Sequence, residues 1–231
     1  MEIPKRVWQR YIQTLGRVSK KAGDELEKFM RDNSVAGKTW LDDDMMDRLI
    51  SFAYYLTSKY GEAAGSLACE MYDAIAEASN VAVQSASVAS VPDVGDVIRT
   101  VKGAAMFSEQ SVPSAGERLI KRVAADTMLN NAIRDGAQFA WVPNGDTCAF
   151  CITLASRGWQ NVGKKTLKNG HAEHIHNNCD CQYVVRFDTN TDVEGYYPDK
   201  YLERYNNAEG ATPVDKINAM RRENYQRQKE N

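Results

Sequence analysis

The sequence predicts an α+β fold, with a mostly α-helical N-terminal part followed by a small module carrying a short β-sheet. Apolar residues recur at spacings of three and four through most of positions 1–136, the period of a half-buried helix. At Gly136 the texture changes, and Phe139-Ala140-Trp141-Val142 and Tyr183-Val184-Val185-Arg186-Phe187 read as strands. Four of the five Cys and all three His fall between Cys148 and Cys181.

Bulk properties narrow the class. A chain of 231 residues buries a core without staples. Its 29 Lys and Arg against 31 Asp and Glu leave a net charge of −2, which argues against a whole-protein basic field of the kind that grips nucleic acid or anionic lipid. Mean hydropathy is −0.53. The longest uncharged apolar run, Leu49 to Leu56, is far below the roughly 18 residues that span a bilayer. The opening Met-Glu-Ile-Pro-Lys-Arg lacks the apolar stretch of a signal peptide. A soluble protein made in the cytosol, with no membrane partner, is expected.

The first helix is marked by Ile3, Val7, Tyr11, Leu15, Val18, Ala22, Leu26 and Phe29, one stripe at period 3.6. Lys and Arg at 5, 6, 17, 20 and 21 lie largely off that stripe and read as a solvated face, with a basic contact surface as the other reading. Asp32-Asn33-Ser34 and Gly37 interrupt the pattern. Thr39 is the expected N-cap of the next segment, with Asp42, Asp43 and Asp44 in its first turn. Met45, Leu49, Phe52, Leu56 and Tyr60 continue the stripe, and Leu67, Met71 and Ile75 resume it beyond the Gly61 to Gly65 interruption. That pattern fits one long helix or two abutting ones, with Cys69 as a small buried hydrophobe. Residues 78–92 are uncharged and rich in Ala, Ser and Val, which permits close helix packing or a flexible hinge. A short helix over Val94 to Phe107, a Ser/Pro break at 111–114 and a helix from about Ala115 to Gly136 complete this part. No fixed-period repeat appears, which excludes a solenoid.

In the module, Pro143-Asn144-Gly145-Asp146 is a turn, and Thr147 is placed to cap a short helix holding Cys148, Cys151 and Leu154, closed by Gly158. A polar loop follows from Asn161 to Gly170. After Thr189 the chain is polar, with Tyr196, Tyr197, Tyr201 and Tyr205 as isolated anchors. Thr212-Pro213 starts a last helix through Arg221, after which a nearly all-polar end is expected to fray. The chain thus divides into a helical scaffold or interaction region (1–136), a Cys/His metal-binding α+β module (137–190), and a polar tail with a short C-terminal helix (191–231).

The Cys/His window carries the chemistry. In Cys148-x-x-Cys151 two thiolates converge on one metal at a helix start, where the dipole favours anionic sulfur. The second half is His171-Ala-Glu173-His174-Ile-His176-Asn-Asn-Cys179-Asp-Cys181. Paired knuckles separated by a loop of this length match a structural zinc site, a tetrahedron of sulfur and nitrogen ligands. The simplest site takes Cys148, Cys151, one of Cys179 and Cys181, and one His. His176, just before the Cys pair, is the best His candidate, and His171 and His174 become loop or outer residues. Disulfides are the structural alternative, disfavoured by a reducing cytosol and by the strain of a Cys-x-Cys bridge. A thioredoxin-like pair would need a βαβ context that is missing. A nucleobase deaminase would pair His171-Ala-Glu173 with the CxxC, but there His-x-Glu comes first, Pro precedes the CxxC, and Cys179 and Cys181 would go unused.

The pattern Trp141-x-Pro143-x-x-Asp146-x-Cys148-x-x-Cys151-x-x-Leu154, followed by His176-x-Asn178-Cys179-x-Cys181, resembles the phage Mu F-like proteins, head-morphogenesis or minor capsid proteins of tailed phages and prophages. The similarity covers roughly 115–188. Asn177 stands where many members have Pro, and Ala125-Asp126-Thr127 where many carry an Arg-Thr-Glu-like stretch. The resemblance implies a non-enzymatic structural protein in the phage head, made in the host cytoplasm, partnered by the portal or the major capsid protein, with no small-molecule substrate. It implies that Cys148, Cys151, His176, Cys179 and Cys181 tie the CxxC helix to the strand at 182–187 through structural Zn2+. Asp146 and Asn178 would brace the turns, and Trp141 would pack beneath. A zinc-knuckle nucleic-acid or adaptor module is the second reading, with local DNA contact through Arg157, Lys164, Lys165, Lys168 and Arg186. A deaminase-like enzyme comes last.

Overall fold

The apolar stripes assemble around one helix. A computed structural model describes residues 2–3, 5–33, 42–143, 148–161, 163, 181–194 and 196–230. Helices α1 (Lys5–Asp32), α2 (Asp43–Ala78) and α3 (Val94–Phe107) all pack on α4 (Ser111–Asp135). α4 buries Ala115, Leu119, Ile120, Val123, Ala124, Met128 and Leu129, so little of its circumference reaches water. Its Gly116 admits α1 closely, since a Cβ there would run into Leu26 Cδ1. The Ser/Pro break expected at 111–114 is instead the first turn of α4. Pro113 is tolerated there because first-turn N–H groups have no helical partner. The helix ends at Gly136, whose φ of 67° suits glycine.

On α1 the buried stripe is Trp8, Tyr11, Leu15, Ser19, Ala22, Leu26 and Met30. Val7 is exposed, because Trp8 with its larger apolar surface takes the inner face. Ile3 is buried but lies in a strand rather than the helix. α2 is one unbroken helix across Gly61 and Gly65. Its N-cap is Asp42, whose carboxylate accepts from the Met45 N–H at 2.8 Å, and Thr39 lies outside the described residues.

Residues 81–93 form neither a packed helix nor a loose hinge. They run without regular structure along α2 and α4 and are held by side chains of both. The Ala86 N–H donates to Asp73 Oδ1 (2.8 Å) and the Ala89 N–H to Thr127 Oγ1 (3.0 Å). Asn131 brackets Ser87, accepting from its N–H at 3.0 Å and donating to its carbonyl at 2.9 Å. Gly65 makes room, since a Cβ there would collide with Val88. Beside this strap, Arg134 donates to the Gln84 and Ser85 carbonyls and pairs with Asp135 at 2.6 Å, and Tyr72 donates to Asp135 at 2.8 Å.

The expected strands form as β2 (Gln138–Val142) and β4 (Gln182–Arg186), joined by β3 (Gln160–Asn161) in an antiparallel sheet of order β3-β2-β4. Residues 139–142 and 182–185 are all buried, so the sheet is covered on both faces. α2 and α4 touch β4, and α5 (Ala149–Ala155) touches β2. β1 (Glu2–Ile3) pairs in parallel with β5 (Asp192–Val193). Where a polar tail with one short helix was expected, α6 (Pro198–Asn207) and α7 (Pro213–Glu230) pack on α5 through Ala149, Ile152, Ala208 and Met220. α7 continues past Arg221 to Glu230 and is capped reciprocally by Thr212 and Asp215. Among the described residues no helix is long and apolar enough to cross a membrane.

Arg134, and then Tyr72, hold the Asp135 carboxyl below the usual carboxylate range against the opposing effect of burial. A depressed carboxyl stabilises the fold above the ordinary carboxylate pKa, and that contribution is lost as pH falls through its folded value. Asp135→Asn should therefore cost about 1.5–3 kcal/mol at neutral pH, the scale of a hydrogen bond to a charged group. Urea melts of variant and wild type should converge on acidification below about pH 4.

Candidate metal centre

The CxxC turn is built by α5. Cys148 has extended dihedrals (φ −66°, ψ 157°) and serves as the N-cap, its sulfur accepting the Cys151 N–H at 3.3 Å. The cap is thus Cys148 itself, with Thr147 outside the described residues. A donated N–H is a contact that a thiolate ligand can keep when it binds metal. Cys151, three residues on, is buried at 1 % exposure. Cys181 is buried where the chain runs into β4. It lies near α6: burial, and then the field of Cys181, push the Tyr201 phenol up. Cys151 and Cys181 belong to one core cluster, against which Cys148 packs.

Of the residues read from sequence as metal ligands, these three thiols are placed, and His176 and Cys179 lie outside the described residues. So do His171, His174, Glu173, Asp146 and Asn178. Among the described residues no group of three or more His, Cys, Asp or Glu side chains is arranged to hold a metal ion. Trp141 is buried in β2, the strand on which α5 rests, and meets Tyr183 edge-to-face at 4.5 Å.

The basic residues near this turn are differently employed than their sequence position suggests. Arg186 stacks its guanidinium over Trp159 at 4.6 Å and donates from Nε to Gln138 Oε1 at 2.8 Å. Burial holds its pKa below the usual arginine value. Gln138 also donates to Asn161 at 3.1 Å, so one polar chain crosses all three strands. Arg186 is thereby a structural part of the sheet. Arg157 is exposed, and Lys164, Lys165 and Lys168 lie outside the described residues. The Trp159–Arg186–Gln138 unit was missed in sequence, where only its unusual polarity at strand positions pointed to it. Tyr196 was read as an isolated anchor; its hydroxyl donates to the Ala155 carbonyl at 3.0 Å and ties the segment before α6 to the end of α5.

The model of the family described as VG15 protein matches residues 2–208, a span that covers β1 to α6. The chain belongs to the VG15 protein family. That is a viral (phage) protein family. No curated protein and no solved structure is significantly similar to the chain. The VG15 match includes the whole helical scaffold, the CxxC turn, the sheet and α6, and it ends before α7.

The polar chain across the VG15 sheet is testable by a double-mutant cycle in urea. Arg186→Ala should cost about 1–3 kcal/mol through lost stacking and hydrogen bonding. Gln138→Ala should cost less, and the two should couple by about 0.5–1.5 kcal/mol because they share one contact. Strict additivity would show that the contact contributes nothing.

Proposed function

We propose that this protein is a structural minor capsid or head-morphogenesis protein of a tailed phage, of the Mu F-like type, which joins the portal or the capsid during head assembly and remains in the virion. The observation that supports the reading is membership of a phage protein family over residues 2–208, in a chain that also carries the paired Trp-Pro-Asp-Cys-Cys and His-Asn-Cys-Cys pattern. In this role the helical part makes protein contacts and no residue is catalytic. The protein is made in the host cytoplasm and takes no small-molecule substrate.

The same reading gives the Cys/His cluster a structural Zn2+. Thiolate and imidazole are the donors zinc prefers, and two of the thiols share the first turn of α5. Cys148, Cys151, His176, Cys179 and Cys181 supply one more than the four ligands of a tetrahedral site, which leaves one of them outside it. The metal supplies a cross-link between α5 and the start of β4, and no reaction chemistry.

Quantitative mass spectrometry of purified phage particles should find the chain at a fixed ratio to the portal, and an amber allele should yield particles that lack it and infect poorly. Full infectivity without the chain, or its absence from particles, overturns the head assignment. Purified protein should hold about one zinc per chain and melt earlier in chelator. A metal-free preparation with an unchanged melt removes zinc and leaves the head assignment standing.

A further inference from the structure

The outward face of α1 is a row of cations. Arg6, Arg10, Arg17 and Lys21 are exposed and follow one another at intervals of four, seven and four residues, which at 3.6 residues per turn places them on one face. Lys20 stands at the margin of the row and pairs with Asp24 at 2.8 Å. From Lys5 to Gly23 the helix carries no acid, although the whole chain has a net charge of −2. Arg6 and Arg10 make no ion pair among the described residues. The opposite face of α1 is locked, with Trp8, Tyr11, Leu15 and Leu26 buried. The helix therefore cannot turn its charges inward, and they stay presented over about 22 Å at 1.5 Å per residue.

The chemistry of the row selects its occupant. An acidic protein partner would need an apolar or aromatic centre to the contact, and this face has none. A membrane surface would need apolar side chains exposed beside the cations, and Val7 is the one large hydrophobic residue exposed on α1 among the described residues. What remains is a straight, single-signed, arginine-rich line, matched to regularly spaced phosphates. We propose that this face of α1 binds the phosphate backbone of double-stranded DNA without reading its sequence. The surface is separate from the Cys/His cluster and depends neither on zinc nor on the head assignment.

The full chain is tested by fluorescence anisotropy with two labelled duplexes of unrelated sequence across a salt series. Both duplexes should bind equally, with log K falling against log salt at a slope of about −0.9 per phosphate contacted, or about −4 for the row. The variant R6Q/R10Q/R17Q should weaken binding and reduce the slope by about 2.7, the share of three contacts. The control K102Q/R221Q/R222Q, which removes the same charge from exposed sites elsewhere, should leave the slope unchanged. If the triple variant melts early, Arg10→Gln alone should still reduce the slope by about 0.9. Equal losses in the two triple variants, no binding at low salt, or tighter binding to poly-glutamate or to anionic phospholipid vesicles than to duplex would each overturn the proposal.

Discussion

Because α4 is packed against α1, α2, α3 and the sheet, the polar groups on its buried side must find partners inside the protein. Thr127 and Asn131 sit on its buried length at 0 % and 2 % exposure. Each turns part of its bonding inward to the helix, to the Val123 and Thr127 carbonyls, and spends the rest on the strap at 81–93. The strap has the complementary need, since a segment without regular structure must satisfy its backbone through side chains or water. The two requirements meet along α4, and a bond left unmade there would cost about 1–3 kcal/mol. This is why thirteen residues with no secondary structure are compatible with an ordered core: they act as a third layer over the α2–α4 contact. The close approach is local to two positions, since Cβ atoms at Gly65 and Gly61 would crowd Val88 and Val91.

The long helices were legible because burial on one side imposes a period on the order of apolar residues. Val94–Phe107 formed over the expected span, and the strands near Phe139 and Val184 formed within a residue of expectation. The misreadings share a cause: each position had two local solutions, and tertiary packing chose between them. Val7 and Trp8 both extend a plausible stripe on α1, and contact with the core selects Trp8. Thr39 and Asp42 are both good caps, and α2 starts at Asp43 with Asp42 accepting the Met45 N–H. β1 and β5 are two residues each and have no periodicity at all, so only their mutual pairing defines them. α6 lacked a long apolar stripe because it rests on α5 by Tyr201 and Tyr205 with no fully buried residue of its own.

The site was legible in kind more than in arrangement. Spacing identified the Cys148–Cys151 turn at a helix start, since three residues is one turn and a cap needs an acceptor. Composition could not say that the cap is Cys148 itself. Nor could it say that Arg186, counted among the basic residues of the knuckle, is committed to Trp159 and Gln138 within the sheet. Charge counted along a sequence does not show which cations also serve the packing, as Arg186 does through its Nε and its stacked face.

That distinction matters most on α1, where Lys20 pairs with Asp24 and Arg17 donates to Thr14, while Arg6 and Arg10 make no ion pair among the described residues, and where the helix is pinned at its start. Ile3 is buried in β1 against Val193 of β5, and three residues beyond Val193, Tyr196 bonds to the end of α5. A short path of backbone pairing and one hydrogen bond thus links the first turn of α1 to the helix that holds Cys148 and Cys151. The rest of α1 is bound to α2 and α4 through one continuous core that also includes β2 and β4. The exposed face of α1 and the CxxC turn are therefore set in one packed frame.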